Sequence, residues 1–207
     1  MVAALLQGQQ GAALYPVDDS ARDPTFQAYV QRLRAAVAGR DVRALRRLMN
    51  TDDIVVGPEK EDKGWKKFEA KWRPGDSGGT RLWGALNDIL AAGFVREHPR
   101  LFLSPYQVWR FPDNLDRSTH VVIARDKVVL RRHPSQNAAA VAVLSFDIVR
   151  RLGEPEKGEG LGSWVHVRTL SGREGYVPAR EIVSPTAPRA QFGFEGGRWV
   201  MIALEDS

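Results

Sequence analysis

The hydrophobic pattern of this chain changes period partway along, and that change limits the fold more than any other feature. Ahead of residue 118 the apolar side chains recur at helical spacing. Phe26, Tyr29, Val30, Leu33 and Val37 fall at i, i+3, i+4, i+7 and i+11, one stripe of an amphipathic helix. Asp23-Pro24 opens it with an N-cap and a first-turn proline, and Gly39 closes it. Asp41 caps a second helix with Val42, Leu45, Leu48 and Met49 facing inward. Trp65, Phe68 and Trp72 predict a third. Thr80 predicts the cap of a fourth that runs to about Ala92, with Leu82, Trp83, Leu86, Ile89 and Leu90 on its buried side. From His120 onward apolar and polar residues alternate, the period of half-buried strands.

Strands are predicted over 120–124, 127–131, 140–152, 163–169, 173–177, 190–194 and 198–204, and the segments 101–103 and 106–111 read as extended. Ile54-Val55-Val56 is a short β-prone run. Gly196-Gly197 has the composition of a type I′ turn, which joins the last two strands as a hairpin. Helices first and strands second make an α+β chain. Its expected organisation is a flexible leader over 1–22, a helical domain over 23–118 and a strand-rich domain over 119–207.

At 207 residues the chain can bury one large core or two small ones. No apolar run reaches the roughly 18 residues of a transmembrane helix. The absence of cysteine removes disulfides, thiolate metal sites and cysteine nucleophiles. The net charge of +5 divides evenly, +3 over residues 1–119 and +2 over the remainder, so no basic arm marks a nucleic-acid partner and none is expected. Met1 to Leu6 is apolar but short and lacks a preceding basic residue. Residues 1–14 read either as the remnant of a signal peptide or as a plain leader.

Few residues carry chemistry. His98, His120, His133 and His166 include no pair at metal-binding helical spacing, so no metal site is expected. Gly158-Glu-Gly160-Leu-Gly162 looks like a phosphate loop but leads into a strand, where no helix N-terminus would hold the anion. It reads as a connecting loop. Asp52-Asp53 and Glu59, Glu61, Asp62 lack calcium-loop spacing. Trp65, Phe68 and Trp72 alternate with Lys66, Lys67 and Lys71, either an amphipathic helix or an aromatic-basic surface. Arg40, Arg43, Arg46 and Arg47 form one basic helix edge, read as solvated. No catalytic residue and no cofactor is predicted.

The stretch Trp164 to Val183 is the best-defined piece. Val165 and Val167 point to one face and His166 and Arg168 to the other; Ser171-Gly172 turns the chain, and Pro178 ends the return strand. The run W-V-x-V-x-T-x-x-G-x-x-G-Y-V resembles the closing half of a bacterial SH3-like (SH3b) domain. Lys127-Val-Val-Leu-Arg131 with His133-Pro134-Ser135 resembles its opening, and Leu144, Phe146, Ile148 and Leu152 its second strand. The resemblance covers residues 120–183 and implies a small SH3-like β-barrel, with the C-terminal hairpin as an extension. It implies a peptide-binding groove to which Trp164 and Tyr176 contribute, with His133 and Pro134 at the rim. Trp72-Arg73-Pro74 and Pro105-Tyr106 ahead of such a domain are similar to a group of often exported bacterial proteins. Ala35 to Val56 is also similar to the opening helices of the nuclear transport factor 2-like fold.

The function these resemblances imply is a non-enzymatic binding protein of the bacterial cell envelope, periplasmic or secreted, or otherwise cytoplasmic. It would recognise a peptide, a protein segment or a cell-wall polymer. The alternative is a small-ligand carrier or enzyme with a pocket in the N-terminal domain.

Overall fold

The computed structural model describes residues 12–75, 79–159 and 162–206. It is an α+β chain in which helices precede two antiparallel sheets, of four and eight strands. The backbone divides into two compact units. One takes Pro16–Trp109 with the chain from Thr186 onward; the other takes the segment ending at Tyr15 with Arg110–Pro185.

In the first unit, α1 (Pro24–Ala38), α2 (Val42–Arg47), α3 (Trp65–Trp72) and α4 (Thr80–Ala91) lie where the apolar stripes put them. Asp23 caps α1: its Oδ1 accepts from the N–H groups of Thr25 and Phe26 at 3.0 Å each and from the Thr25 hydroxyl at 2.6 Å. Asp41 accepts from Ala44 N–H at 2.9 Å and caps α2. Thr80 does not cap α4, which is entered from Gly79 without a side-chain cap.

Strands β1 (Val95–His98) and β2 (Leu101–Ser104) form a hairpin. The segment after it is not extended as expected but forms a short helix, α5 (Tyr106–Trp109). Pro105 is pre-organised for a first turn, and its carbonyl accepts from Val108 and Trp109 N–H. With strands numbered along the chain, β11 (Arg189–Glu195) and β12 (Arg198–Glu205) form the predicted C-terminal hairpin. Gly196 and Gly197 at its tip both have positive φ, 55° and 79°, as a type I′ turn requires.

That hairpin corrects the expected organisation. It does not extend the strand-rich unit; β11 pairs with β2, giving the sheet order β1-β2-β11-β12. The register sets Phe192 opposite Phe102. Phe26 of α1 stacks flat on Phe102, with centroids 3.8 Å apart and planes within 2°, and meets Phe94, Phe192 and Trp199 edge-on. Trp199 Nε1 donates to Thr25 Oγ1 at 2.9 Å, and Trp72 Nε1 donates to the Leu204 carbonyl at 3.3 Å. Tyr29 is fully buried and donates to the Leu48 carbonyl at 3.0 Å; burial pushes its phenol far up and keeps it protonated. The outer edge of β12 is covered by residues 48–55, where backbone bonds join Leu48, Asn50 and Val55 to Met201, Ile202 and Leu204. Val55, from the β-prone run, bridges Ala203 in parallel.

The second unit comprises β3 (His120–Ile123), β4 (Val128–Arg131), β5 (Ala140–Leu144), β6 (Ile148–Arg151), β7 (Glu156–Lys157), β8 (Ser163–Thr169), β9 (Glu174–Pro178) and β10 (Ile182–Val183). They pair in the order β10-β3-β6-β8-β9-β4-β5, with β7 beside β8. Among the described residues no pairing joins β5 to β10, so the sheet does not form a closed barrel. Buried Val121, Leu130, Leu144, Val149, Val167 and Val177, from six of its strands, nevertheless meet in one core.

The predicted strand 140–152 is two strands, broken at 145–147. Phe146 there takes a positive φ of 59°, and Asp147 Oδ2 accepts from Ser145 N–H. The chain's front end fills the break: Leu14 N–H donates to the Phe146 carbonyl, and Ile148 N–H to the Ala12 carbonyl. Residues 12–14 are therefore bound to the sheet. The rest of the expected leader before them, residues 1–11, lies outside the described residues.

Two outcomes follow from these contacts. A chain ending at Pro185 lacks Phe192, Trp199, Met201 and Leu204 of the first core, so by hydrogen exchange its α1 amides lose protection while those of β8 keep theirs. The second concerns Asp23, whose carboxyl is held below the ordinary range chiefly by the Thr25 hydroxyl, with backbone N–H donors and Arg96 adding to it. A carboxyl depressed in the folded state contributes stability above its unfolded value, about 3.9, and loses it as pH falls through the folded value. Asp23→Ala therefore lowers stability in urea by about 1 kcal/mol at neutral pH, with the deficit narrowing in acid.

Candidate functional site

The register between β8 and β9 sets Trp164 opposite Pro178, His166 opposite Tyr176 and Arg168 opposite Glu174. Alternation sends Val165, Val167 and Val177 into the core, so Trp164, His166, Tyr176 and Pro178 share the other face. A tryptophan on that face would ordinarily be open to water. Trp164 is only 3 % exposed.

Two loops account for its burial. One follows β4 and covers 132–139; the other carries β7 and folds back along β8, with Glu156 opposite Trp164 and Lys157 opposite Ser163. Gly158 of the second loop lies so close to the indole that a Cβ there would overlap Trp164 Cδ1 and Nε1 and the Pro134 carbonyl oxygen. Glycine is the residue that admits this approach. Glu159 N–H donates to the Pro134 carbonyl at 2.8 Å and ties the loops together. The first loop is also fixed internally. Ser135 N–H donates to the His133 carbonyl, Asn137 N–H to Ser135 Oγ, and Arg131 Nη1 to the Ala138 carbonyl at 2.7 Å.

Two open grooves flank this arrangement. The first, of about 540 Å³, lies between the loops and is lined by His133, Pro134, Ser135, Asn137, Lys157 and Glu159 among others. The second, of about 480 Å³, has Trp164 and Pro178 in its lining, shares Asn137 with the first, and continues over Arg125, Lys127 and Arg180. Of the four residues singled out from the sequence, His133 and Pro134 line the first groove and Trp164 the second. Tyr176 lines neither; it stacks on His166 at 4.6 Å with the rings 12° from parallel.

Sequence reasoning passed over Gly158 by reading its loop as a plain connector. The available signal was a glycine close before a tryptophan that opens a strand. It also passed over Asn137 and the cations of the second groove, which come from separate stretches.

The other surface considered, on α3, is used internally. Phe68 and Trp72 are buried, while Trp65 packs on the core beneath Arg46, whose guanidinium carbon lies 4.9 Å from the ring centroid. Lys71 Nζ donates to the Val56 carbonyl and pairs with Asp206, each at 2.6 Å, and Arg81 pairs with the same carboxylate.

Compared with protein-family models, with curated proteins and with solved structures, the chain matches none.

The Gly158 contact gives a direct test. Gly158→Ala displaces the indole or the loop, shifts the Trp164 Nε1–H nuclear magnetic resonance signal and destabilises the strand-rich unit by about 1–3 kcal/mol, the usual cost of overpacking. An unmoved resonance would contradict the geometry.

Proposed function

We propose that the strand-rich unit is an open, SH3-like barrel and that the protein is a non-enzymatic interaction protein, which holds an extended peptide segment in the grooves around Trp164. The observation that carries this reading is the position of Trp164. It stands on the outer face of β8, roofed by two mutually bonded loops, with an open groove to either side. Such a site sets two pre-ordered loops, held by the buried indole, beside polar rims that can bond a peptide backbone. Asn137 and His133 are exposed at the rims, and Pro178 lies beside the indole. The 3₁₀ turn Ala179–Glu181 after Pro178 agrees with the closing segment that the SH3-like resemblance implies. The resemblance to often exported bacterial proteins supports a location at the cell envelope, where peptide partners include protein segments and cell-wall peptides.

Selection of short random peptides on the full chain, followed by titration of a selected peptide into isotope-labelled protein, tests the reading. Resonances of His133, Asn137, Lys157 and the Trp164 indole are expected to move. Asn137→Trp, at an exposed position common to both grooves, is expected to weaken binding about tenfold while leaving the fold intact. Failure to select any peptide, or shifts confined to other surfaces, would sink the proposal.

A further inference from the structure

We infer that the peptide held beside Trp164 is acidic, its carboxylates met by Arg125, Lys127, Arg131 and Arg180; this inference rests on the peptide-binding reading above. All four cations line the second groove together with only two carboxylates, Asp126 and Glu181. Glu181 is paired within the protein, whereas Asp126 stays 58 % exposed and leaves some negative charge in the groove. Glu181 is nearly buried and takes the Nε groups of Arg125 and Arg180 at 3.3 and 3.2 Å. Asp126 Oδ1 accepts from Ser145 Oγ at 2.6 Å.

The cations are left with capacity. Among the described residues no carboxylate pairs with Arg131, whose Nη1 is fixed by the neutral Ala138 carbonyl. The Lys127 side chain is 83 % exposed and lies 4.0 Å from Asp126 at its nearest. Arg125 and Arg180 each give one edge to Glu181 and remain 69 % and 61 % exposed. A guanidinium so placed presents its remaining N–H groups as a fork that suits a carboxylate.

The rest of the groove selects a peptide over a phosphate polymer. Half-buried Pro178 and Val129 supply apolar surface beside the buried Trp164, and Gln136 and Asn137 supply amides that bond a peptide backbone. Asp126 and Glu181 oppose an unbroken run of phosphates, whereas carboxylates spaced along a peptide can sit against the cations alone.

The test uses the full chain and three labelled peptides of one proline-containing pattern, with glutamate, glutamine or lysine at the variable positions. Fluorescence anisotropy is expected to show the glutamate peptide bound about tenfold more tightly than the glutamine peptide, and the lysine peptide more weakly than either. The preference should shrink with added salt, since the cations are exposed. Lys127→Asn combined with Arg180→Gln should reduce the glutamate peptide's affinity about fivefold and leave the glutamine peptide's unchanged. Asparagine suits the left-handed backbone at position 127, where φ is 58°, so the double variant keeps its fold.

Equal affinity for the three peptides, with all three weakened by Asn137→Trp, would overturn the acidic preference and leave the peptide groove standing. No binding by any peptide, or binding indifferent to Asn137→Trp, would overturn both. An oligodeoxythymidylate that displaces the glutamate peptide at lower concentration than unlabelled peptide would overturn the inference in favour of nucleic acid.

Discussion

The stacking of Phe26 on Phe102, with Phe192 and Trp199 against its edges, is the contact on which the first unit depends. It joins α1, the β1–β2 hairpin and the chain's last hairpin, pieces far apart in sequence. The four-stranded sheet is complete only when β11 has returned to β2, because Phe192 comes into the core through that register. Everything from Arg110 to Pro185 is therefore an insertion, in sequence, between the two parts of one unit. Loop-closure entropy grows only logarithmically with length, so an insertion of this size is tolerated if it folds on its own contacts. The second core, made of short β-branched and leucine side chains from six strands, supplies such contacts.

Within the insertion, the same economy of glycine and tryptophan builds the candidate site. A strand face that would otherwise be wet is covered because Gly158 lets backbone lie against an indole. Two loops bonded to each other and anchored on strands are less free than either alone. A groove whose rims are already ordered loses less entropy on binding. The stacked pair His166–Tyr176 continues the face beyond Trp164 and stiffens it, without entering either groove.

The first four helices were legible because each carries a 3.6-residue apolar stripe, to which α1 and α2 add an aspartate cap. The last hairpin was equally legible, down to the two positive-φ glycines at its tip. Its partner was not, since alternation in β11 says that one face is buried and nothing about what buries it. Proximity in sequence favoured the neighbouring strands, and the aromatic complement in α1 and β2 overrode it. Tyr106–Trp109 was misread because a proline that interrupts a strand can equally begin a helical turn. Phe146 hid a strand break, since its apolar side chain kept the alternation going while its backbone turned. For the site, His133, Pro134 and Trp164 were named only through the SH3-like resemblance, and the structure places them along the two grooves. The cations of the second groove could not be found, because Arg180 lies some fifty residues beyond Arg125–Arg131 and the β4–β9 and β3–β10 pairings bring the two stretches together.

This last point separates two uses of charge. A net charge spread evenly along a sequence is weak guidance to partners, because clustering is a property of the folded surface. Here the fold draws four cations to one groove and turns one of its two carboxylates, Glu181, toward its own structure. Exposed cations of this kind add little to binding strength, being solvated and screened, but they exclude ligands of the same sign and orient those of the opposite one. On the proposed reading, strength must come from backbone bonds to Gln136 and Asn137 and from half-buried Pro178 and Val129, because the loops already cover Trp164. On that reading the buried indole holds the two loops in place, and the arginines and lysine of the second groove set which segment is accepted.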